Sequence, residues 1–438
     1  MHSNFPVAVL VAVVLVLATR PMARQLAAQE RDQRLYTVVM TSVVLHLLAA
    51  GALIWVVDHY YHGITDYNRY LSQGAILGPR FRRFDFSLAG TNQKFLGAGS
   101  VSVFVGLVFA VIGENKLGAF FVFGWFAFLG TMGFYRAFAT TFPEAEHRRY
   151  ALMLFFLPSL IFWTAGTSKE AVMYISVGIA ADGAARLLAR RRRGVALLAL
   201  GIVIGIYVRP QELLLFLGCV AAATLFRPRA RDQSFRVLRF VAIALVQAVL
   251  LIAVITLTQK LAKSGAAVFS LSTVAKNNSH EASSIPYVSG PKGFPHDVYV
   301  MLFDPTLLNA HGTSQRLAAL ENTVIMVLIV TSWRRLLLLP RVCFARPYVM
   351  VAIVDLVGFC YAFASLSNLG LIDRERVIAL PFLLLLLAIP KAAKGQPKFP
   401  WEQSRRRRRA LERARGPNYA TWAPRPLTGP MPPARPGT

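Results

Sequence analysis

Apolar stretches of bilayer-spanning length recur from one end of the chain to the other, and nearly every border between them carries arginine. A helix needs about 20 apolar residues to cross hydrocarbon about 30 Å thick. Eleven stretches meet or approach that length, at 5–19, 35–57, 117–137, 150–166, 170–187, 195–208, 211–226, 238–258, 318–333, 347–366 and 377–390. The expected fold is therefore all-α, a polytopic integral membrane protein of about 11 transmembrane helices. Composition points the same way, since 16% of the residues are charged and 55% hydrophobic, against about 25% charged and 45–50% apolar in ordinary domains. The mean hydropathy is +0.49.

The charge is one-sided, with 48 Lys and Arg against 21 Asp and Glu and a net of +27. Such a balance can signal nucleic acid, but here the arginines lie in short runs between apolar stretches, as at cytoplasmic membrane borders. Nucleic acid is not an expected partner; membrane lipids are. Cys219, Cys343 and Cys360 lie in or beside apolar stretches with no CxxC pair, which argues against a disulfide framework or a thiolate metal site.

A twelfth apolar stretch, 96–112 (LGAGSVSVFVGLVFAVI), decides the topology, because counting it as a crossing inverts everything after it. If it does not cross and the N-terminus lies outside, 33 of the 48 Lys and Arg fall on the cytoplasmic side. If it crosses, the runs Arg190–Arg193 and Arg405–Arg409 face outward, against the positive-inside rule. The stretch is therefore expected to be a re-entrant or interfacial helix within a first outer loop, 58–116. A long outer loop follows at 259–317, and the transmembrane domain 1–390 ends in a basic, Pro- and Arg-rich cytoplasmic tail, 391–438, with too little apolar content to pack. N-terminus out and C-terminus in completes the expected topology.

This assignment gathers the polar residues of interest on the outer side. In the first loop (DHYYHGITDYNRY) the acids are Asp58, Asp66 and, further on, Asp85. A carboxylate at a membrane border can act as general base on a hydroxyl. Asp66 is the first choice, with Tyr70 at i, i+4 on the same face if the stretch is helical; solvated acids paired with Arg69, Arg80, Arg82 or Arg83 are the plainer alternative. In WTAGTSKE, Thr167 or Ser168 can cap a helix whose first turn holds Lys169 and Glu170. Glu170 suits the helix dipole, whereas Lys169 does not, and a phosphate at that N-terminus would explain it. Arg209 in YVRPQE, and Arg374 and Arg376 in LIDRERVIALP, are either snorkelling side chains and partners of acids or phosphate-binding residues. Glu321 either satisfies a helix dipole or lines a cavity. His280, His296 and His311 lack metal-ligand spacing. No cofactor is expected, and neither a P-loop nor a dinucleotide fingerprint occurs.

The order of TDYNRY, the re-entrant apolar stretch, PSLIFWTAGTSKE, YVRPQ, LFDP with LEN, and NLGLIDRERVIALP resembles a group of bacterial multi-spanning membrane proteins described as glycosyltransferase-like. More broadly it is similar to the GT-C superfamily, which transfers a sugar from a polyprenyl-phosphate donor to an acceptor outside the cytoplasmic membrane. The resemblance covers roughly residues 35–390. It implies a bacterial cytoplasmic (inner) membrane location, a polyprenyl-phosphate-linked sugar and a glycan or lipid acceptor as partners, and a role in cell-envelope polysaccharide biosynthesis. It further implies Asp66 as base, Glu170 as the second acid, and Arg209, Arg374 and Arg376 as residues holding donor phosphate; the reading of the residues themselves adds Asp58, Tyr70 and Lys169 as candidates beside the substrate. The Asp-Glu pair of many members is missing from the first outer loop, and there is no large C-terminal soluble domain. Some members use a divalent ion, for which this sequence shows no clear ligand set. A non-catalytic flippase or polymerase-like partner in polysaccharide export is the competing expectation.

Overall fold

A computed structural model describes residues 4–60, 65–88, 97–143, 145, 147–225, 294–363 and 369–390. The expected span 238–258, the stretch 259–293 of the long outer loop with His280, and the tail 391–438 lie outside the described residues. The chain divides into Met1–Ile389 and Pro390–Thr438, and the architecture below is that of the first unit.

The described residues of that unit form helices and no strands. Helices α1 (Phe5–Glu30) and α2 (Gln33–His59) form an antiparallel pair, joined by Arg31 in the left-handed conformation and by Asp32, whose carboxylate caps α2 by accepting the Arg34 N–H at 2.9 Å. Next come α3 (Asp66–Arg82), α4 (Ala98–Ile112) and α5 (Lys116–Thr141), the last capped by Asn115. Helices α6 (Arg148–Phe156) and α7 (Pro158–Phe162) precede α8 (Lys169–Leu188), α9 (Arg193–Gly205) and α10 (Pro210–Leu225). The last group is α11 (Phe294–Phe303), α12 (Gly312–Leu336), α13 (Leu339–Ala345), α14 (Pro347–Phe363), α15 (Leu369–Glu375), a 3-10 turn Arg376–Ile378 and α16 (Leu380–Leu387).

Among the described residues five helices are long and apolar enough to cross a membrane: α1, α2, α5, α8 and, from Gln315, α12. Helices α4, α9, α10 and α14 are apolar but shorter. The expected span 150–166 is two helices, because Pro158 has no N–H to donate and its ring blocks a continuing helix, leaving Leu157 extended. The expected span 377–390 is the 3-10 turn followed by the eight residues of α16.

Burial grades outward from α8, whose apolar window is 83% buried, to α1, whose window is 17% buried. The exposed flank of α1 (Leu10, Val13, Val14, Leu17) is a surface that only a nonaqueous medium covers without cost. Around α8 the helices touch backbone to backbone. A Cβ on Gly178 would lie 2.3 Å from Gly130 O of α5, and one on Gly183 would lie 2.3 Å from Leu198 N of α9. Small residues permit this approach, and close packing replaces the hydrophobic drive that helices lack in lipid.

Helices α3 and α4 lie side by side and run in the same direction. Gly74 packs on Val105 and Gly78 on Phe109, and Arg82 closes the pair by donating to the carbonyls of Phe109 and Ala110 at 3.1 and 3.0 Å. At 15 residues and about 1.5 Å per residue, α4 is about 22 Å long, short of a crossing. Its first residues, Gly97 and Ser100, donate to Tyr207 O.

Candidate functional site

Two helix starts and one short helix bring charged side chains to one end of the bundle. Ser168 caps α8 by accepting the Ala171 N–H at 3.2 Å, which fixes Glu170 in the first turn. The α9–α10 connection places Arg209 one residue before Pro210, and Glu212 follows in the first turn of α10. The chain of α15 ends on Glu375.

These residues converge on the Arg209 guanidinium. Nη2 donates to Glu170 Oε1 at 2.9 Å and to Glu375 Oε1 at 2.6 Å, while Nη1 donates to Glu212 Oε1 at 2.8 Å and also to Glu375 Oε2. All four side chains are buried. Three carboxylates on one guanidinium leave an excess of negative charge, which Arg374 near Glu170 and Lys169 near Glu375 offset. Burial lifts the Glu375 carboxyl above its ordinary value, against the pull of Arg209. Arg374 itself lies over the Tyr67 ring, 5.3 Å from its centroid, and Gly166 leaves the room that ring occupies.

Tyr70 connects this cluster to the start of α3. It is 2% exposed and within electrostatic reach of Asp66, Glu170, Arg209 and Arg374. Burial first, then Asp66 and Glu170, push its phenol well above the ordinary value, against Arg209 and Arg374, so it stands as a neutral hydrogen-bonding group. Asp66 is the first residue of α3, is exposed, and makes no hydrogen bond or ion pair among the described residues. It is an available carboxylate at the edge of a buried polar shell.

Asp66, Tyr70, Lys169, Glu170, Arg209 and Arg374 are thus brought together, and two expected site residues are not. Asp58 pairs with Lys116 at 2.6 Å, tying the end of α2 to the start of α5. Arg376, expected to hold a phosphate, is 1% exposed and faces Asp373 at 2.8 Å. Its Nε and Nη1 have no hydrogen-bond partner among the described residues. Burial lifts Asp373 to about 6 against Arg376, with Glu321 and Asp304 pushing the same way, so Arg376 belongs to a second acidic group. There Glu321 accepts the Ser159 N–H at 2.8 Å and Asn309 donates to Asp304 at 2.8 Å. Arg209 too is engaged on all sides by glutamates and presents no open fork to a ligand.

The sequence reading passed over Glu212 and Tyr67. Glu212 lies three residues after Arg209 across a helix start, a spacing that favours pairing and was a legible signal. Tyr67 had no such signal, because its partner Arg374 is remote in the chain. Among the described residues no three His, Cys, Asp or Glu side chains are grouped to hold a metal ion. Comparison with protein-family models, with curated proteins and with solved structures finds no match to this chain.

Proposed function

We propose that the protein is a multi-spanning glycosyltransferase of a bacterial cytoplasmic membrane, N-terminus outside and C-terminus inside, that crosses about eleven times and moves a sugar from a polyprenyl-phosphate donor to a glycan or lipid acceptor. The observation that carries this reading is the free, exposed carboxylate of Asp66 beside the buried shell of Tyr70, Glu170, Arg209 and Arg374. In the reaction, the Asp66 carboxylate takes the proton of the acceptor hydroxyl as that oxygen attacks the anomeric carbon. The bond from that carbon to the phosphate oxygen breaks, and polyprenyl phosphate leaves with the electron pair.

The cations open to a leaving phosphate are Lys169 and Arg374, both partly exposed. Arg209 and its glutamates act as positioning residues that hold α8, α10 and α15 in register, with Arg374 in reach of Tyr70 and Lys169 in reach of Glu375. Preorganised positive charge at a developing phosphate, partly shielded from water, supplies electrostatic stabilisation.

The test is transfer in proteoliposomes from a panel of radiolabelled polyprenyl-phosphate sugars, comparing the native chain with Asp66→Asn. Transfer that the variant abolishes while remaining folded supports the assignment. Equal transfer by both removes Asp66 from the mechanism, and no transfer by either across the panel favours an export partner. For that second reading the supporting observation is Asp355, an acid 4% exposed in the interior of α14 beside Cys219, since buried intramembrane acids commonly mark conduction paths.

A further inference from the structure

At the end of α8 opposite Glu170, Asp182 pairs with Arg186, and the polar groups at this end include a cavity of about 240 Å³ where the α1–α2 connection meets the start of α6. Two helix N-termini border it. Asp32 caps α2, a helix of 27 residues, whereas α6, with nine residues, has no side-chain cap among the described residues, and its first-turn N–H groups have no partner within the helix. Arg34 and Arg148 line the cavity from the two sides, are exposed, and make no side-chain ion pair or hydrogen bond among the described residues. Two acids also line it: Glu30 is paired with His147 Nδ1, and Asp32 accepts the Arg34 N–H, which leaves Asp32 as the one carboxylate facing the two arginines.

His147 offsets the charge of Glu30. Its Nε2–H donates to Phe142 O at 2.8 Å while Nδ1 faces the Glu30 carboxylate, so both ring nitrogens point at acceptors and the ring is held as a cation. The rest of the wall is apolar, with Leu35, Val38 and the exposed Leu152 continuing from the charged mouth. A charged mouth above an apolar wall at the end of membrane helices is the arrangement that takes a phosphate headgroup with its chains lying along the helices.

We propose that this cavity binds a phosphate group, with Arg34 and Arg148 as its two cationic arms and the uncapped first turn of α6 as its floor, and that the phosphate is carried on an anionic phospholipid. The same donors would accept free phosphate, but only a lipid also uses the apolar wall. The site is separate from the Asp66 cluster and does not depend on the glycosyltransferase reading. In the topology with the N-terminus outside it faces the cytoplasmic leaflet.

The experiment uses the purified full-length chain in detergent and measures binding of phosphatidylglycerol, phosphatidylcholine and inorganic phosphate by native mass spectrometry and by thermal shift. Three proteins are compared: the native chain, Arg34→Gln/Arg148→Gln, and Arg24→Gln as a control at an exposed arginine outside the cavity. The expected result is phosphatidylglycerol binding weakened at least tenfold in the double variant, intact in Arg24→Gln, and phosphatidylcholine unchanged throughout. Inorganic phosphate that binds as tightly as the lipid and is lost in the double variant supports the phosphate site with water as its source. Equal phosphatidylglycerol binding by all three proteins overturns the proposal, as does an equal loss in Arg24→Gln. A double variant that melts lower but keeps its lipid shows that the arginines hold the fold and not a headgroup, and also overturns the proposal.

Discussion

Arg209 grips Glu375 fork to fork across 166 positions of sequence, with Nη2 on Oε1 at 2.6 Å and Nη1 on Oε2. Bidentate pairing of this kind fixes geometry as well as charge. With Glu170 and Glu212 on the same guanidinium, one side chain ties the starts of α8 and α10 to the end of α15.

Removing that side chain leaves three buried carboxylates facing one another. Arg209→Met is expected to cost about 3–5 kcal/mol, the usual penalty for breaking a buried pair from one side. Thermal unfolding in detergent reads the loss. Adding Glu212→Gln and Glu375→Gln to Arg209→Met is expected to recover part of it, because two of the orphaned charges disappear. An Arg209→Met protein as stable as the native one would deny the network any structural role.

Asp66→Asn is expected to change stability by no more than about 0.5 kcal/mol, the range for exposed substitutions. The carboxylate is exposed and has no partner among the described residues. Unfolding curves of the two proteins superimpose if this is right. A large shift would mean that Asp66 is a structural group and that any loss of transfer on its mutation is secondary.

His147 supplies a pH dependence at the other end of the bundle. Burial lowers its pKa, but the hydrogen bond to Glu30, the Phe142 carbonyl and the Glu30 charge more than compensate, so the folded value lies above the ordinary 6.5. The folded state binds this proton more tightly than the unfolded chain. The stabilisation is therefore complete below pH 6.5 and is lost as pH rises through the folded value. Melting temperatures of the native chain and His147→Gln, measured from pH 5.5 to 9, are expected to differ most at low pH and to converge as pH rises. A constant gap would show that the pair does not titrate in this range.

Two glycines in long helices are expected to respond oppositely to alanine. Gly178→Ala forces a methyl into the Gly130 carbonyl, and overpacking of this kind costs about 1–3 kcal/mol. Gly51 in α2 has nothing within 4 Å of the position a Cβ would take. Gly51→Ala is expected to be neutral or to stabilise by up to about 1 kcal/mol through helix propensity alone. Equal effects at the two sites would contradict the close α5–α8 contact.

Helical class and the long apolar helices were legible because apolar length and arginine borders are local properties of the chain. The sequence reading put Glu170 and Arg209 at the same end of the chain's helices, but that they meet was not legible, because residues at the starts of separate helices leave no pairing signal. The break at Pro158 was written in the residue itself, yet an apolar window averages over it and reads one span where there are two helices. Arg376 was misleading for a different reason. Next to the bilayer it looks available to phosphate, and only the packing of Asp373, Glu321 and Asp304 from separate segments shows that its surroundings are acidic. The Arg209–Glu375 fork was illegible because long-range pairing leaves no periodicity behind.

The glycine contacts that join α5, α8 and α9 have a mechanical consequence. Backbones in direct contact have no side-chain layer to slide on, so these three helices move as one stiff keel. The charged end of α8 rides on that keel and inherits its rigidity. Movement against the keel then falls to parts that touch it less intimately, chief among them the α3–α4 arm. A cross-link between α5 and α8 should therefore leave the mobility of the rest of the molecule unchanged.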